Sequence, residues 1–321
     1  MLIVDKVIER GEFGLDTVRI GGEATRRTIS RRQISGWRVS SATDEVGRGV
    51  DRSMLRTLEC GATLQFLPAR RGDVARGFVE FSVPKLLRGD NVHPSSLSAA
   101  RIAVSAVLRE AGDFVELHQT KVNRLDVVRD FTDVANIGGI LLALMAAPIS
   151  GRKTFALYGD AAVGGIQTRV VWNNDGGCRA YDKGVESGLP EAQGRLRVEA
   201  EERRRHLRLL DITSWDAVTE RDIYAVGRRR FEWAGLDATI RSVSAAITLI
   251  LASKLNGATI CKLVGYHELH RLGLDSELTS SDRSRFRRDL EALGAFGCEH
   301  ADQPFRLDYD RGLLIGDEVS A

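Results

Sequence analysis

Tyr181, Lys183 and Glu186 stand close together in the segment CRAYDKGVE, Cys178 to Glu186. A phenol can attack phosphorus as a nucleophile, but a free Tyr ionises only near pH 10, so it needs a cation nearby to supply phenolate. Lys183, two residues on, falls on the same side of a strand as Tyr181 and is placed for that role. Two other segments show the same alternation. In VNRLDVVRDF (Val122 to Phe131), Leu125, Val127 and Phe131 alternate with Arg124, Asp126 and Asp130. In RLRVEAE, Leu196, Val198 and Ala200 alternate with Arg197, Glu199 and Glu201. Glu80 belongs to GFVEFSV (Gly77 to Val83), where Val79, Phe81 and Val83 share one side. If these strands are neighbours, one sheet face gathers carboxylates, a Tyr, a Lys and several Arg.

The chemistry such a face could perform is phosphoryl transfer. Carboxylate oxygens are hard ligands that hold Mg²⁺ or Mn²⁺ while leaving coordination positions open to phosphate. Glu80, Asp126, Asp130 and Glu199 are the expected ligands of one such cation. Arginine and lysine would neutralise charge developing on the phosphoryl group while the phenol attacks in line. Arg124, Arg179, Arg197, Arg203, Arg204 and Arg205 are the expected DNA contacts. The plain alternative is a solvated sheet face carrying cross-strand ion pairs.

Arginine makes up 39 of the 46 basic residues, and Arg195, Arg197, Arg203, Arg204, Arg205 and Arg208 crowd one short stretch, with Arg228, Arg229 and Arg230 beyond it. Its planar fork suits phosphate, although biased genome composition or a solvated helix face gives the same counts. The net charge is only +2, so bulk charge does not by itself indicate nucleic acid.

Several classes are excluded by motif. GDAAVGGI (Gly159 to Ile166) lacks the Lys-Ser/Thr of a P-loop. His267 and His270 lack the spacing that would place two imidazoles on one zinc. Cys60, Cys178, Cys261 and Cys298 are widely spread and read as reduced thiols. The longest apolar stretch, Ile137 to Ile149, is shorter than the ~20 residues a membrane span needs. The N-terminus carries acids where a signal peptide wants a basic and then an apolar run, so a soluble intracellular protein is expected.

With 321 residues, 43% of them hydrophobic and 28% charged, the chain can bury a substantial core. Strands are expected over Gly77–Val83, Val122–Phe131, Thr154–Tyr158, Thr168–Trp172, Gly177–Lys183 and Arg195–Glu201, with helices over Ser96–Ala111 and Asp130–Ala147. The turn Asn173-Asn174-Asp175-Gly176 is a strong hairpin signal. The pattern predicts an α+β fold: an antiparallel sheet with helices on one face. From about Asp211 the character turns helical. Two units are therefore expected, an α+β domain over 1–210 and a helical C-terminal domain over 211–321, either a DNA-binding unit or a docking appendage.

The motifs, taken in order, resemble the filamentous-phage replication initiators, the gene II endonucleases, and their plasmid rolling-circle relatives. FVEFSVPKLLRGDNV (Phe78 to Val92) is similar to that family's acidic strand and its Lys-x-x-x-Gly-x-Asn-Val segment. VNRLDVVRDF resembles its Asn-Arg-Ile-Asp strand, and TRVVWNNDGGCRAYDKGVE its Trp-Asn segment and the Tyr-x-Lys-x-x-Glu motif beyond it. RLRVEAEERRR resembles the family's next strand, rich in Arg and Glu, and the helical segments KLVGYHELHRLGLDS and SRFRRDLEALGAFG resemble its C-terminal helices. The likeness thus runs from Phe78 to about Gly297. Asp90 stands where relatives often have His, and no His-hydrophobe-His metal motif is present.

The resemblance implies a site-specific nickase. It would cut one strand at a phage, prophage or plasmid origin through a 5′-phosphotyrosine on Tyr181, with Lys183 and Glu186 completing the motif and a carboxylate-bound Mg²⁺ or Mn²⁺. It would later rejoin the displaced strand, working with the helicase and polymerase of a bacterial host in the cytoplasm. Transesterification conserves the bond energy, which agrees with the missing ATP motif. A non-catalytic origin-binding regulator is the alternative. A tyrosine recombinase would need an Arg…His-x-x-Arg…Tyr set that His267–Arg271 and Tyr309 do not supply.

Overall fold

The computed structural model describes residues 13–26, 36–40, 53–69, 74–144, 153–160, 165–238, 240, 243–271, 277–293, 295 and 305–315. The N-terminal stretch that argued against a signal peptide, residues 161–164 of the GxxxxG segment, and Cys298 lie outside them.

The strands are β1 (Phe13–Arg26), β2 (Trp37–Ser40), β3 (Ser53–Thr57), β4 (Thr63–Leu67), β5 (Arg76–Ser82), β6 (Val115–Leu117), β7 (Lys121–Phe131), β8 (Thr154–Asp160), β9 (Gly165–Asn173), β10 (Gly176–Asp182) and β11 (Leu196–Arg203). They form one sheet in the order β2-β3-β4-β5-β1-β7-β11-β10-β9-β8, with β6 added to one end of β1. Every pairing in it is antiparallel. A separate hairpin joins β12 (Phe305–Asp308) to β13 (Gly312–Ile315).

The helices are α1 (Val83–Arg88), α2 (Leu97–Ala111), α3 (Ile137–Ala143), α4 (Lys183–Ser187), α5 (Arg204–Leu209), α6 (Glu220–Trp233), α7 (Val243–Leu251), α8 (Gly257–Arg271) and α9 (Ser280–Leu293). The Ser96 hydroxyl caps α2 by accepting from the Ala99 N–H at 3.2 Å. The helix expected from Asp130 starts only at Ile137, because β7 keeps pairing with β11 through Phe131. None of the described helices is long and apolar enough to cross a membrane.

Two apolar clusters fill the space between the sheet and its helices. One packs α2, α5 and α6 against β1, β5 and β7; the other packs α3, α6 and the β12–β13 hairpin against β7, β10 and β11. Val127 belongs to the first and Phe131 to the second, and their even spacing places both clusters on one side of the sheet. This is the expected α+β architecture with helices on a single face. The face opposite them is polar.

The apolar clusters divide the chain differently from the expected boundary at 210. Helix α6 and the terminal hairpin belong to the sheet's core, while α7, α8 and α9 enclose a small cluster of their own around Ile250, Leu263, Tyr266 and Leu290. The helical character expected from about Asp211 onward covers α6 only in general terms and carried no information about where it docks. Gly227 sets how close α6 lies: a Cβ there would stand 2.0 Å from the Tyr309 hydroxyl and 2.9 Å from a Val127 methyl.

Candidate active site on the polar sheet face

Strand register arranges the polar face in rows. Tyr181 pairs with Arg197 and Arg197 with Asp130; Arg179 pairs with Glu199 and Glu199 with Val128; Gly177 pairs with Glu201 and Glu201 with Asp126. Glu80 lies farther along, opposite Arg19 of β1, which in turn is opposite Arg124 of β7. Glu80, Asp126 and Tyr181 therefore share one face of one sheet, with Tyr181 two strands across from Asp126 (~10 Å) and four residues further along, ~16 Å away in all.

Tyr181 donates its hydroxyl hydrogen bond to Glu199 Oε2 at 3.3 Å, and Glu199 is also held by Arg179. Only 7% of Tyr181 is exposed. Burial raises the phenol pKa far above its ordinary value, the negative Glu199 adds to the rise, and Arg197 opposes it. This corrects the expectation of a phenol activated by a nearby cation. Lys183 is fully buried, with Nζ 5.8 Å from the Tyr181 ring centre, and it donates to Asn91 Oδ1 at 2.9 Å and to Glu186 at 2.5 Å. Its charge is thus matched by Glu186, itself half exposed.

Asn91 reaches this site because the loop after α1 runs alongside the start of β1, where Leu15 and Ser95 exchange backbone hydrogen bonds in an antiparallel bridge. Asp90 shapes the loop by accepting from the Val92 N–H at 3.0 Å. Arg197 holds the loop from below: it donates to the carbonyls of Asn91 and Val92 and makes two 2.7 Å bonds to Asp130. The Asn-Val segment and the Tyr-x-Lys-x-x-Glu segment, 92 residues apart at Asn91 and Lys183, thereby meet.

The four expected metal ligands do not converge. Asp126 and Asp130 are four residues apart on β7, ~13 Å at strand rise. Each carboxylate is already engaged by guanidinium groups: Glu80 by Arg19 and Arg124 at 3.1 and 3.4 Å, Asp126 by Arg124 at 2.7 and 2.5 Å, Asp130 by Arg195 and Arg197, and Glu199 by Arg179. Among the described residues no group of three or more His, Cys, Asp or Glu side chains is placed to hold a metal ion. The donors are of the hard-oxygen type that suits Mg²⁺ or Mn²⁺, but their arrangement does not fit one. Asp126 is fully buried; burial pushes its pKa well up, with Glu199 and Glu201 adding to the rise and Arg124 resisting it.

The expected DNA-contacting arginines separate into three groups. Arg197 is 0% exposed and spends its donors on Asp130 and two carbonyls, so it braces the site from within. Arg124, Arg179 and Arg203 border a pocket on the open face. Arg204 and Arg205 leave that face because β11 ends at Arg203 and α5 begins; Arg205, 79% exposed, lies 3.5 Å from Asp175. The later run behaves similarly, with Arg229 and the buried Arg230 both bound to buried Glu202.

Sequence reading missed Arg19, Asn91 and Trp172 as parts of this face. The first lies on a strand whose alternation is broken by a bulge between Leu15 and Val18. Asn91 and Trp172 were within quoted motifs but had no assigned role.

No family model matches this chain, and no curated protein matches it. Among solved structures it is similar to the rolling circle replication initiator protein from Geobacillus stearothermophilus, at 15% identity and a TM-score of 0.38, over 68% of this chain and 85% of that one.

Proposed function

We propose that this chain is a rolling-circle replication initiator that nicks and rejoins DNA at an origin through a phosphotyrosine on Tyr181. The observation that carries the reading is the Tyr181–Glu199 hydrogen bond, flanked by Arg179 and Lys183 on the face that also bears the other motif residues. The narrower likeness to the gene II group rests on sequence motifs alone.

In this reading Glu199 is the general base. It takes the Tyr181 proton, and the phenolate oxygen attacks the phosphorus in line. A P–O bond to Tyr181 forms as the bond to the 3′-oxygen breaks, and the 3′-oxygen takes a proton from water. Protonated Glu199 no longer needs Arg179, whose guanidinium is then available to the phosphoryl oxygens. Rejoining reverses the sequence: the attacking 3′-hydroxyl gives up its proton and Glu199 returns one to the phenol. Glu199 carries the phenol's proton in both directions, and the 3′-oxygen exchanges its proton with water. Origin DNA is the proposed substrate, with a bacterial host's helicase and polymerase acting on the nicked product.

Burial of the phenol favours one second reading, an origin-binding regulator that does not cut. Incubation with supercoiled DNA from the protein's own replicon separates the two. Nicked circles carrying protein at the 5′ end, with the adduct mapped to Tyr181, support the enzyme; bound but uncut DNA supports the regulator.

A further inference from the structure

On the polar face beside Glu199 lies a pocket of about 260 Å³. Its floor is the glycine pair Gly176–Gly177, and its walls include Trp172, Asn173, Arg179 and Arg203. Trp172 faces Gly177 directly across the β9–β10 pairing, so the residue that would otherwise cover the indole has no side chain. A Cβ at Gly177 would come within 3.3 Å of the Trp172 Cβ, so the open space depends on glycine there. Gly176 is fixed independently: its φ is +145° and a Cβ would lie 2.2 Å from the Glu201 carbonyl oxygen.

Trp172 is half-buried, and among the described residues its ring stacks on no other aromatic ring. Trp233, by contrast, is covered by Lys153 and Arg230, and Trp215 is buried. Asn173, which lines the pocket, accepts from the Asp175 N–H at 3.0 Å with its side-chain oxygen, so its amide N–H₂ donors are not used in that bond. Arg179 and Arg203 are about half exposed and each bonds one carboxylate, Glu199 and Glu201, so donors of each fork remain for a second acceptor.

From these features we infer that the pocket binds one unpaired nucleotide of a single DNA strand, its base stacked on Trp172 and its phosphate held by Arg179 and Arg203. A π-face, an amide and paired guanidinium groups are what a nucleotide's base and phosphate recognise. The volume lies just under the ~300–1,000 Å³ of pockets that enclose whole small-molecule ligands, which suits one base. Gly177 is four residues from Tyr181 on β10, ~13 Å, so the bound nucleotide would sit a few positions from the scissile phosphate. The inference rests on the nicking reading for that placement, but the binding it asserts is measured separately.

The test compares a short oligothymidylate with an abasic oligomer of equal length and charge, by fluorescence anisotropy, together with thymidine monophosphate. The wild type should prefer the base-bearing strand by roughly 5- to 150-fold, the range expected for one stacked base. Trp172→Ala should abolish the preference, and Trp172→Phe should keep most of it. Trp172→Phe should also lose the base-dependent quenching of tryptophan emission, which locates the base even if the alanine variant folds poorly. A wild type indifferent to bases, a Trp172→Ala protein that keeps the preference, or a phenylalanine variant that loses it would overturn the pocket. So would a free nucleotide binding as tightly as the strand. If base preference stands while no Tyr181 adduct forms, the nicking reading falls and the pocket survives; an adduct without base preference gives the reverse.

Discussion

Tyr181 and Glu199 meet diagonally across the β10–β11 pairing, hydroxyl to carboxylate at 3.3 Å, although Glu199's direct partner is Arg179 and Tyr181's is Arg197. The diagonal gives the phenol a proton acceptor on its own face and leaves a guanidinium on either side of the pair. Burial and the Glu199 charge hold the proton firmly in place. Engagement of DNA would have to offset both before the phenol could react.

Replacing Glu199 by Gln removes the proton acceptor and keeps the shape. Nicking should fall by about 10²–10⁴-fold, the usual contribution of a positioned general base. Tyr181→Phe should lose the covalent adduct altogether while binding oligonucleotides as the wild type does, and Glu199→Gln should bind them at least as tightly, because Arg179 is released from its carboxylate. An adduct that persists in Tyr181→Phe, or maps to Tyr158, Tyr224, Tyr266 or Tyr309, sinks the assignment.

Asp130 is bound by both Arg195 and Arg197, and both Asp130 and Arg197 are fully buried. Asp130→Ala takes the carboxylate from the buried Arg197 guanidinium and should cost about 3–5 kcal/mol of stability, as breaking a buried pair typically does. Urea unfolding checks it. A loss under about 1 kcal/mol, the level of an exposed pair, would mean that the pair is not buried in solution.

The raised pKa of Asp126 sets a pH dependence. The folded state binds the Asp126 proton more tightly than the unfolded chain does, so its stabilising effect is present at low pH and is lost as pH rises through the folded pKa. Asp126→Asn lacks this dependence. Its melting temperature relative to wild type should therefore increase steadily from about pH 4 upward. A difference that stays flat or shrinks over that range contradicts the assignment.

Because the carboxylates are already matched by Arg19, Arg124, Arg179, Arg195 and Arg197, the free protein should show no stoichiometric Mn²⁺ site. Titration monitored by electron paramagnetic resonance reads this directly. One equivalent of bound Mn²⁺ that disappears in Asp126→Asn would restore the metal centre expected from the sequence.

Alternation in the sequence was enough to identify β7, β10 and β11 and to place Asp126, Asp130, Tyr181 and Glu199 on their polar sides, because side chains on a strand alternate regardless of what lies beside it. Asn173–Gly176 was legible as a tight turn for an equally local reason, and so was the capped start of α2. β1 was not legible: its bulge between Leu15 and Val18 shifts the alternation, and Gly14, Gly21 and Gly22 dilute the apolar signal, yet it is a central strand of the sheet.

Which carboxylate meets which cation was also beyond the sequence. Arg197 and Asp130 are 67 residues apart, and Arg19 and Glu80 are 61 apart. Alternation tells which face a side chain takes, but only strand order and register decide its neighbour. That choice turned four expected metal ligands into arginine partners, moved Arg197 from the surface to the interior, and opened the space over Trp172 where β10 presents glycine.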